Sequence, residues 1–423
     1  MILTKDITES NAGNLGNLAR FGILFFPIAS YFCYRYVGIN DQILKFVYFI
    51  TLPIILVAVF PEMFRRNPIT LYSSIIRNIF CLIVISMICA YLFWDQDFSV
   101  SYRVTAVYLA ICYFFLLQKH KPDLAFIEKV IWFLCIQYIV LWMFGIYKAP
   151  QLVFGLDRDG VVSNERGFYR LFIPGKTIIV LCYFLALNKF CTTGRYLWTI
   201  VAVALFTVIV MHVIRQVILI TVVVSAFYLL SEKKIGWKIA LVSLLCFWFG
   251  SGFFADDSGI LGRLISISEE QIERNQIEEE DIRLQEYKYF FSEYSKNWLT
   301  VLIGNGFAHS EGPFGEMESK LAREKFFFGS DVGYAEIYIR LGIVGLICYC
   351  LIFFRAVRQR VPAPFVYAKL FIVYLAFANI AASWVFHDTI IICFCLYILE
   401  RCFQEDLKEE SYFLPLSLEV GTR

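Results

Sequence analysis

The sequence predicts an all-α, polytopic membrane helix bundle of about twelve transmembrane helices, and three observations carry that class. Of 423 residues, 59% are hydrophobic and only 17% charged, with mean hydropathy +0.65. A soluble domain carries about 25% charged residues. Apolar runs recur along the chain at the roughly 20-residue length a helix needs to cross hydrocarbon. Basic residues collect in alternate connections, as they do on the cytoplasmic side of membrane proteins. This composition excludes a cytosolic enzyme, a nucleic-acid binder and a disordered scaffold, and a net charge of +2 points to no polyanionic partner.

Taken in order, spans are expected near 19–37, 43–60, 75–94, 103–118, 126–147, 171–188, 196–212, 215–231, 237–254, 333–354, 364–385 and 388–402. The stretch around Met211-His212-Val213-Ile214-Arg215 reads as two short spans with a tight turn, because one over-long helix would leave an imidazole and a guanidinium in hydrocarbon. Met1 to Asn17 is polar without a cleavable signal pattern. Every second connection is basic: Arg65/Arg66, Lys119/Lys121, Lys189/Arg195, Lys233/Lys234/Lys238 and Arg355/Arg358/Arg360. The alternate short ones, 38–42, 95–102 and 386–388, contain no Lys or Arg. This pattern puts both chain ends in the cytoplasm and makes residues 1–423 one integral membrane domain. The thirteen cysteines fall almost entirely in or beside apolar runs and read as small packing residues, without a disulfide framework or metal site.

Two loops, 149–170 and 255–331, then lie outside, and both break the charge rule. The first holds Arg158, Arg166 and Arg170. In the second, Ser266 to Tyr294 is rich in Glu, Arg and Gln, with Leu284, Tyr287, Phe291 and Tyr294 at 3-4-3 spacing, which predicts an amphipathic helix against the outer membrane face. Asn305-Gly306 and Glu311-Gly312-Pro313 mark turns, and 316–325 a second short helix.

Arginine is always charged and its planar fork matches phosphate oxygens. Arg166, Arg170 and Arg215 fall at predicted outer span ends, with Arg283 on the amphipathic helix above them, so a membrane-anchored phosphate or diphosphate suits the set. The plainer reading is that each anchors a helix at the interface. Asp331, Glu336 and His309 are the acid–base candidates. Glu336 and Arg340 share a helix face at i,i+4 and can simply pair. His212 either orients a ligand or satisfies a backbone carbonyl, and His120 and His387 are given no role. No metal-ligand spacing, P-loop or GxSxG occurs, so neither metal nor cofactor is expected.

These residues resemble a family. Ile303-Gly304-Asn305-Gly306-Phe307 is similar to the G-x-G-F that follows an amphipathic helix in O-antigen polymerases and ligases, and Arg283-Leu284-x-x-Tyr287 resembles the basic-then-aromatic start of that helix. Ser330-Asp331-Val332-Gly333-Tyr334 leads into Leu341-Gly342-Ile343-Val344-Gly345-Leu346, where ligases carry His-Asn in place of Asp331-Val332. Ile214-Arg215-Gln216 resembles a Ser-Arg-Thr element, and Arg170-Leu171-Phe172-Ile173-Pro174-Gly175 an arginine-bearing start of an earlier span. The resemblance implies a GT-C-like, metal-independent polymerase of the bacterial inner membrane, with its active site facing the periplasm. It would move a growing glycan from undecaprenyl diphosphate to an incoming lipid-linked repeat unit. Catalytic roles then fall to Arg215, with Asp331 or His309 as base. Substrate would be held by Arg166, Arg170, Arg283, Tyr287, Tyr334, Glu336 and Arg340. Implied partners are the lipid-linked donor and acceptor oligosaccharides and membrane lipids, with a chain-length regulator and a flippase as further candidates. An O-antigen ligase, delivering glycan to lipid A-core, is the alternative. A transporter ranks below both, because neither repeated halves nor Gly/Pro-interrupted spans are read in the sequence.

Overall fold

The computed structural model describes residues 16–65, 70–156, 171–212, 214–231 and 282–418, with side chains to residue 407. Its α-helices are α1 (Asn17–Ser30), α2 (Asp41–Phe64), α3 (Ser73–Trp94), α4 (Phe98–Thr105), α5 (Tyr113–His120), α6 (Leu124–Lys148), α7 (Ile178–Thr193), α8 (Tyr196–Met211), α9 (Arg215–Ser231), α10 (Ile282–Ser292), α11 (Trp298–Ile303), α12 (Pro313–Lys325), α13 (Gly333–Arg358), α14 (Val366–Ala378), α15 (Trp384–His387) and α16 (Thr389–Leu418). Among the described residues the fold is all-helical, one isolated bridge between Leu156 and Phe172 being the extended contact. Helices α2, α3, α6 and α13 are long and apolar enough to cross a membrane, and the bent pair of α4 with 108–120 would be a fifth. That is fewer than the twelve spans expected. Several apolar helices, α7, α8 and α9 among them, are shorter than full span length, and 237–254 lies outside the described residues. His212 ends α8 and Arg215 opens α9, so the ambiguous stretch is two helices.

The first turns of α16 run through the middle of the bundle. Residues 390–399 are all buried, and a helix apolar on every side belongs in a core. This helix packs on α5 and α14; α14 in turn packs on α7, α9 and α13.

A bundle in lipid must satisfy each backbone group internally, and buried tyrosines do so where helices are interrupted. Pro27 lacks the N–H that the Ile23 carbonyl would accept one turn earlier in α1, and Tyr113 Oη donates to that carbonyl at 2.7 Å. At the 55° bend after α4, Tyr48 Oη donates to the Ala106 carbonyl at 2.7 Å.

The largest interruption is in α13. Gly342 (φ 68°, ψ −173°) breaks this span, contrary to the expectation of uninterrupted spans. The break frees the Ile339 and Arg340 carbonyls from the helical ladder. Asn305 N–H donates to Ile339 O at 2.8 Å and Gly306 N–H to Arg340 O at 3.2 Å. The fully buried Asn305 side chain completes the seam: its Nδ2 donates to Ile339 O (3.1 Å) and Ser295 Oγ (3.2 Å), while its Oδ1 accepts from Trp94 Nε1 (3.1 Å). The G-x-G-F element therefore acts here through backbone pairing with a broken helix. Asn305→Ala is expected to cost about 2–3 kcal/mol, measured by thermal unfolding in detergent, since three side-chain hydrogen bonds are lost in a dry site.

The described part of the large loop is helical, as expected, but turns a different face inward. Leu284 and Phe291 are 53% and 42% exposed, whereas Glu286, Phe290 and Tyr294 are buried. Glu286 goes inside because its Oε1 accepts the Phe328 N–H at 2.8 Å. Residues 266–281 lie outside the described residues. The second short helix is α12, opened by Pro313 at its first position.

Candidate functional site

One end of the bundle carries 38–42, 95–102, 304–312 and 386–388, and there a cavity of about 930 Å³ opens. Its walls come from the end of α1, α2, the bend after α4, 172–176, the loop before α12, and α15 into α16. Cationic side chains dominate its polar lining: Arg35, Lys45, Arg103 and Lys176, with His309 and His387. Glu311 and Asp388 are the carboxylates among the described lining residues.

Each cation is placed by local structure. Phe32, Cys33, Tyr34 and Arg35 form a left-handed turn (φ 49°, 48°, 56° and 50°), which costs roughly 1–2 kcal/mol per non-glycine residue. It is held by Gly155 N–H on the Tyr34 carbonyl (3.1 Å) and by Val37 N–H on the Val153 carbonyl (2.9 Å). Strain of this kind concentrates at functional sites, and here it turns Phe32 and Arg35 to the cavity. Asp41 anchors two cations, at 3.5 Å from Arg35 and 2.6 Å from Lys45. Arg103 Nη2 bonds Glu311 Oε2 at 2.6 Å, and that hydrogen bond with its charge holds the Glu311 carboxyl below its ordinary value. Lys176 Nζ lies 4.6 Å from the Trp384 ring centre. Near it Asp388 is 2% exposed, with the Thr177 side chain beside it.

Behind the inner wall of this cavity lies a smaller one of about 300 Å³, between α12, α13 and the turn at 327–330. Arg340 grips Glu318 with both ends of its fork (2.6 and 3.1 Å), and its Nε lies 3.7 Å from Glu336. Tyr294 Oη donates to Glu318 at 2.5 Å; burial first, then the nearby carboxylate, pushes that phenol well up. A run of contacts stands between the cavities: the Phe307 ring centre lies 3.9 Å from that of Tyr108, which lines the large one, and 5.9 Å from the guanidinium of Arg340, which lines the small one. Along one loop, His309 faces the large cavity while Ala308 and Ser310 line the small one.

The expected site residues are therefore distributed. His309 lines the large cavity, and Glu336 and Arg340 the small one, with the expected i,i+4 pair present but secondary to Glu318. Asp331 is exposed on the turn before α13 and lines neither. Arg215 opens α9, where its neighbour Gln216 hydrogen-bonds the Ala378 carbonyl. Tyr287 Oη donates to Ile380 O (2.6 Å) and Tyr334 Oη to Ala376 O (2.7 Å), so the phenols brace the last turn of α14 and the turn that follows it. Arg283 is exposed and acts on Tyr287. Neither Arg215 nor Arg283 lines either cavity, and Arg166 and Arg170 lie outside the described residues. His212 satisfies the Val208 carbonyl through Nδ1 at 2.7 Å. Sequence reasoning missed Arg35, Lys45, Arg103, Lys176, His387 and Asp388.

Set against known proteins, the chain matches no family model and no curated sequence.

Proposed function

We propose that the protein is a membrane-embedded, metal-independent glycosyltransferase, a polysaccharide polymerase using undecaprenyl-diphosphate-linked donor and acceptor. The observation that carries this reading is the cation-lined cavity at one end of an apolar helical bundle. In the proposed topology that end faces the periplasm, because the short connections 38–42, 95–102 and 386–388 found there are free of Lys and Arg, while both termini face the cytoplasm. The bundle is completed to a twelve-span, GT-C-like architecture in the bacterial inner membrane.

Arg35, Lys45, Arg103 and Lys176 take the diphosphate in this proposal. As the anomeric bond breaks, negative charge gathers on the leaving diphosphate, and positioned cations stabilise it. His309 takes the proton from the acceptor hydroxyl, since it stands on the loop between the cavities. Asp331 is second choice as base because of its exposed position. Arg215 and Arg283, with Arg166 and Arg170, serve as outer-face anchors for glycan or lipid. A chain-length regulator and a flippase remain the expected partners.

The test supplies purified protein with lipid-linked repeat units and no lipid A-core. Dimers and longer products are expected; transfer seen only after adding core would replace the polymerase with a ligase. In the same assay His309→Gln should lower the rate at least about 100-fold, as loss of a general base does, while Asp331→Asn stays near wild type. The reverse order would move the base to Asp331.

A further inference from the structure

The two cavities differ in charge. The large one is rich in cations, whereas the charged groups lining the small one are two carboxylates, Glu318 and Glu336, against one guanidinium, Arg340. An anion is therefore disfavoured in the small cavity. Its other walls are aromatic and hydroxyl-bearing: Phe290, Phe327 and Phe328, with Ser310 and Ser330 at the edge. Glu336 is 8% exposed, and the 3.7 Å to Arg340 Nε is too long for a hydrogen bond; that Nε is buried and makes none. A ligand hydroxyl whose oxygen reached that Nε would satisfy it, with the Glu336 carboxylate alongside to accept the hydroxyl hydrogen.

We infer that the small cavity is a subsite for one uncharged pyranose ring, the acceptor sugar. A pyranose has hydroxyls to donate to carboxylates and C–H faces to lie on aromatic rings, and about 300 Å³ is at the lower bound for a ligand pocket. The inference rests on the transferase reading for its role, since Ser310 of this cavity adjoins His309 of the other. A hydroxyl emerging past Ser310 arrives at the imidazole proposed to take its proton.

The full chain in detergent is examined by saturation-transfer NMR with a panel of neutral methyl pyranosides, and with the uronic acid of matching configuration as anionic control. At least one neutral pyranoside should receive saturation and the uronic acid none. Ala322→Trp, which fills the cavity from α12, should remove the signal. Glu336→Gln, which leaves the Arg340–Glu318 fork in place, should weaken apparent affinity about tenfold or more, as loss of a hydrogen bond to a charged group does. Signals unchanged in Glu336→Gln, equal signals from the uronic acid, or no signal from any pyranoside overturn the subsite. Inorganic pyrophosphate, followed by phosphorus NMR line width, reports the large cavity separately and should be unaffected by either substitution. Pyrophosphate binding without pyranoside binding removes the subsite alone; pyranoside binding without pyrophosphate binding removes the diphosphate reading and leaves a sugar site.

Discussion

Gly342→Ala should destabilise the protein by about 3 kcal/mol or more and abolish transfer in the same stroke. The backbone at Gly342 (φ 68°, ψ −173°) occupies a region open in practice to glycine alone. A methyl group there would stand 2.3 Å from the Leu302 carbonyl oxygen, and the nearest atoms all belong to the Leu302–Ile303 backbone, which has no flexible side chain to yield. Gly304→Ala meets the same obstacle from the facing segment, 2.1 Å from the Arg340 carbonyl oxygen at φ +90°. The two glycines are opposite halves of one seam, so the double variant should fall well short of the sum of the single effects, contacting residues being non-additive. The functional loss follows from position. Arg340 lies two residues before the break and Phe307 immediately after the seam, and together with Tyr108 they stand between the cavities. Gly22→Ala, inside the regular helix α1 with nothing within 4 Å of the added methyl, is the comparison, and little or no loss is expected there. Thermal unfolding in detergent with chain-growth assays reads both effects. A Gly342→Ala protein melting like wild type would mean that the seam does not hold the break.

Hydropathy revealed the helices because burial and lipid exposure both demand apolar side chains, and α2, α3, α6 and α13 lie close to their expected limits. It could not reveal the break at Gly342, since one glycine in Leu341-Gly342-Ile343 leaves the apolar run intact. The turn at Asn305-Gly306 was legible; its partner, a carbonyl 34 residues further on, was not, because such pairing is fixed by packing. The cavity cations were hidden for a related reason. Lys45 and Lys176 fall inside expected spans and Arg35 and Arg103 at span edges, where an apolar window absorbs a single charge. Of the arginines singled out instead, Arg166, Arg170 and Arg283 belong to long loops and Arg215 opens a helix, places where charge is conspicuous but position is not written in spacing. In α10 the 3-4-3 aromatic pattern was real, yet Glu286 took the inward place because the Phe328 N–H needed an acceptor.

Lys176→Ala and Arg103→Ala should each slow glycan transfer by about 100-fold to 1,000-fold, the range for losing one preorganised donor to developing negative charge. Lys176 is well placed for this: its ammonium rests on the Trp384 ring at the cavity wall, beside the buried Asp388. Lys176→Arg, which keeps the charge, should retain most activity. Loss of packing could imitate the first result, so a variant of opposite sign decides between causes. Glu311→Gln removes the carboxylate that bonds Arg103 at 2.6 Å, leaving that guanidinium to an incoming anion. Pyrophosphate should then inhibit at lower concentration than in wild type, whereas Lys176→Ala and Arg103→Ala raise the concentration required. The spread among these variants should narrow as salt increases, because exposed charges are screened within about 10 Å at 0.1 M. In cells lacking the native copy, Lys176→Ala should leave single, unextended repeat units. Long glycan of normal length in that strain, or a Glu311→Gln protein less sensitive to pyrophosphate, would take the diphosphate out of this cavity. The cations would then be read as supports for the strained turn at 32–35 and the loops around it.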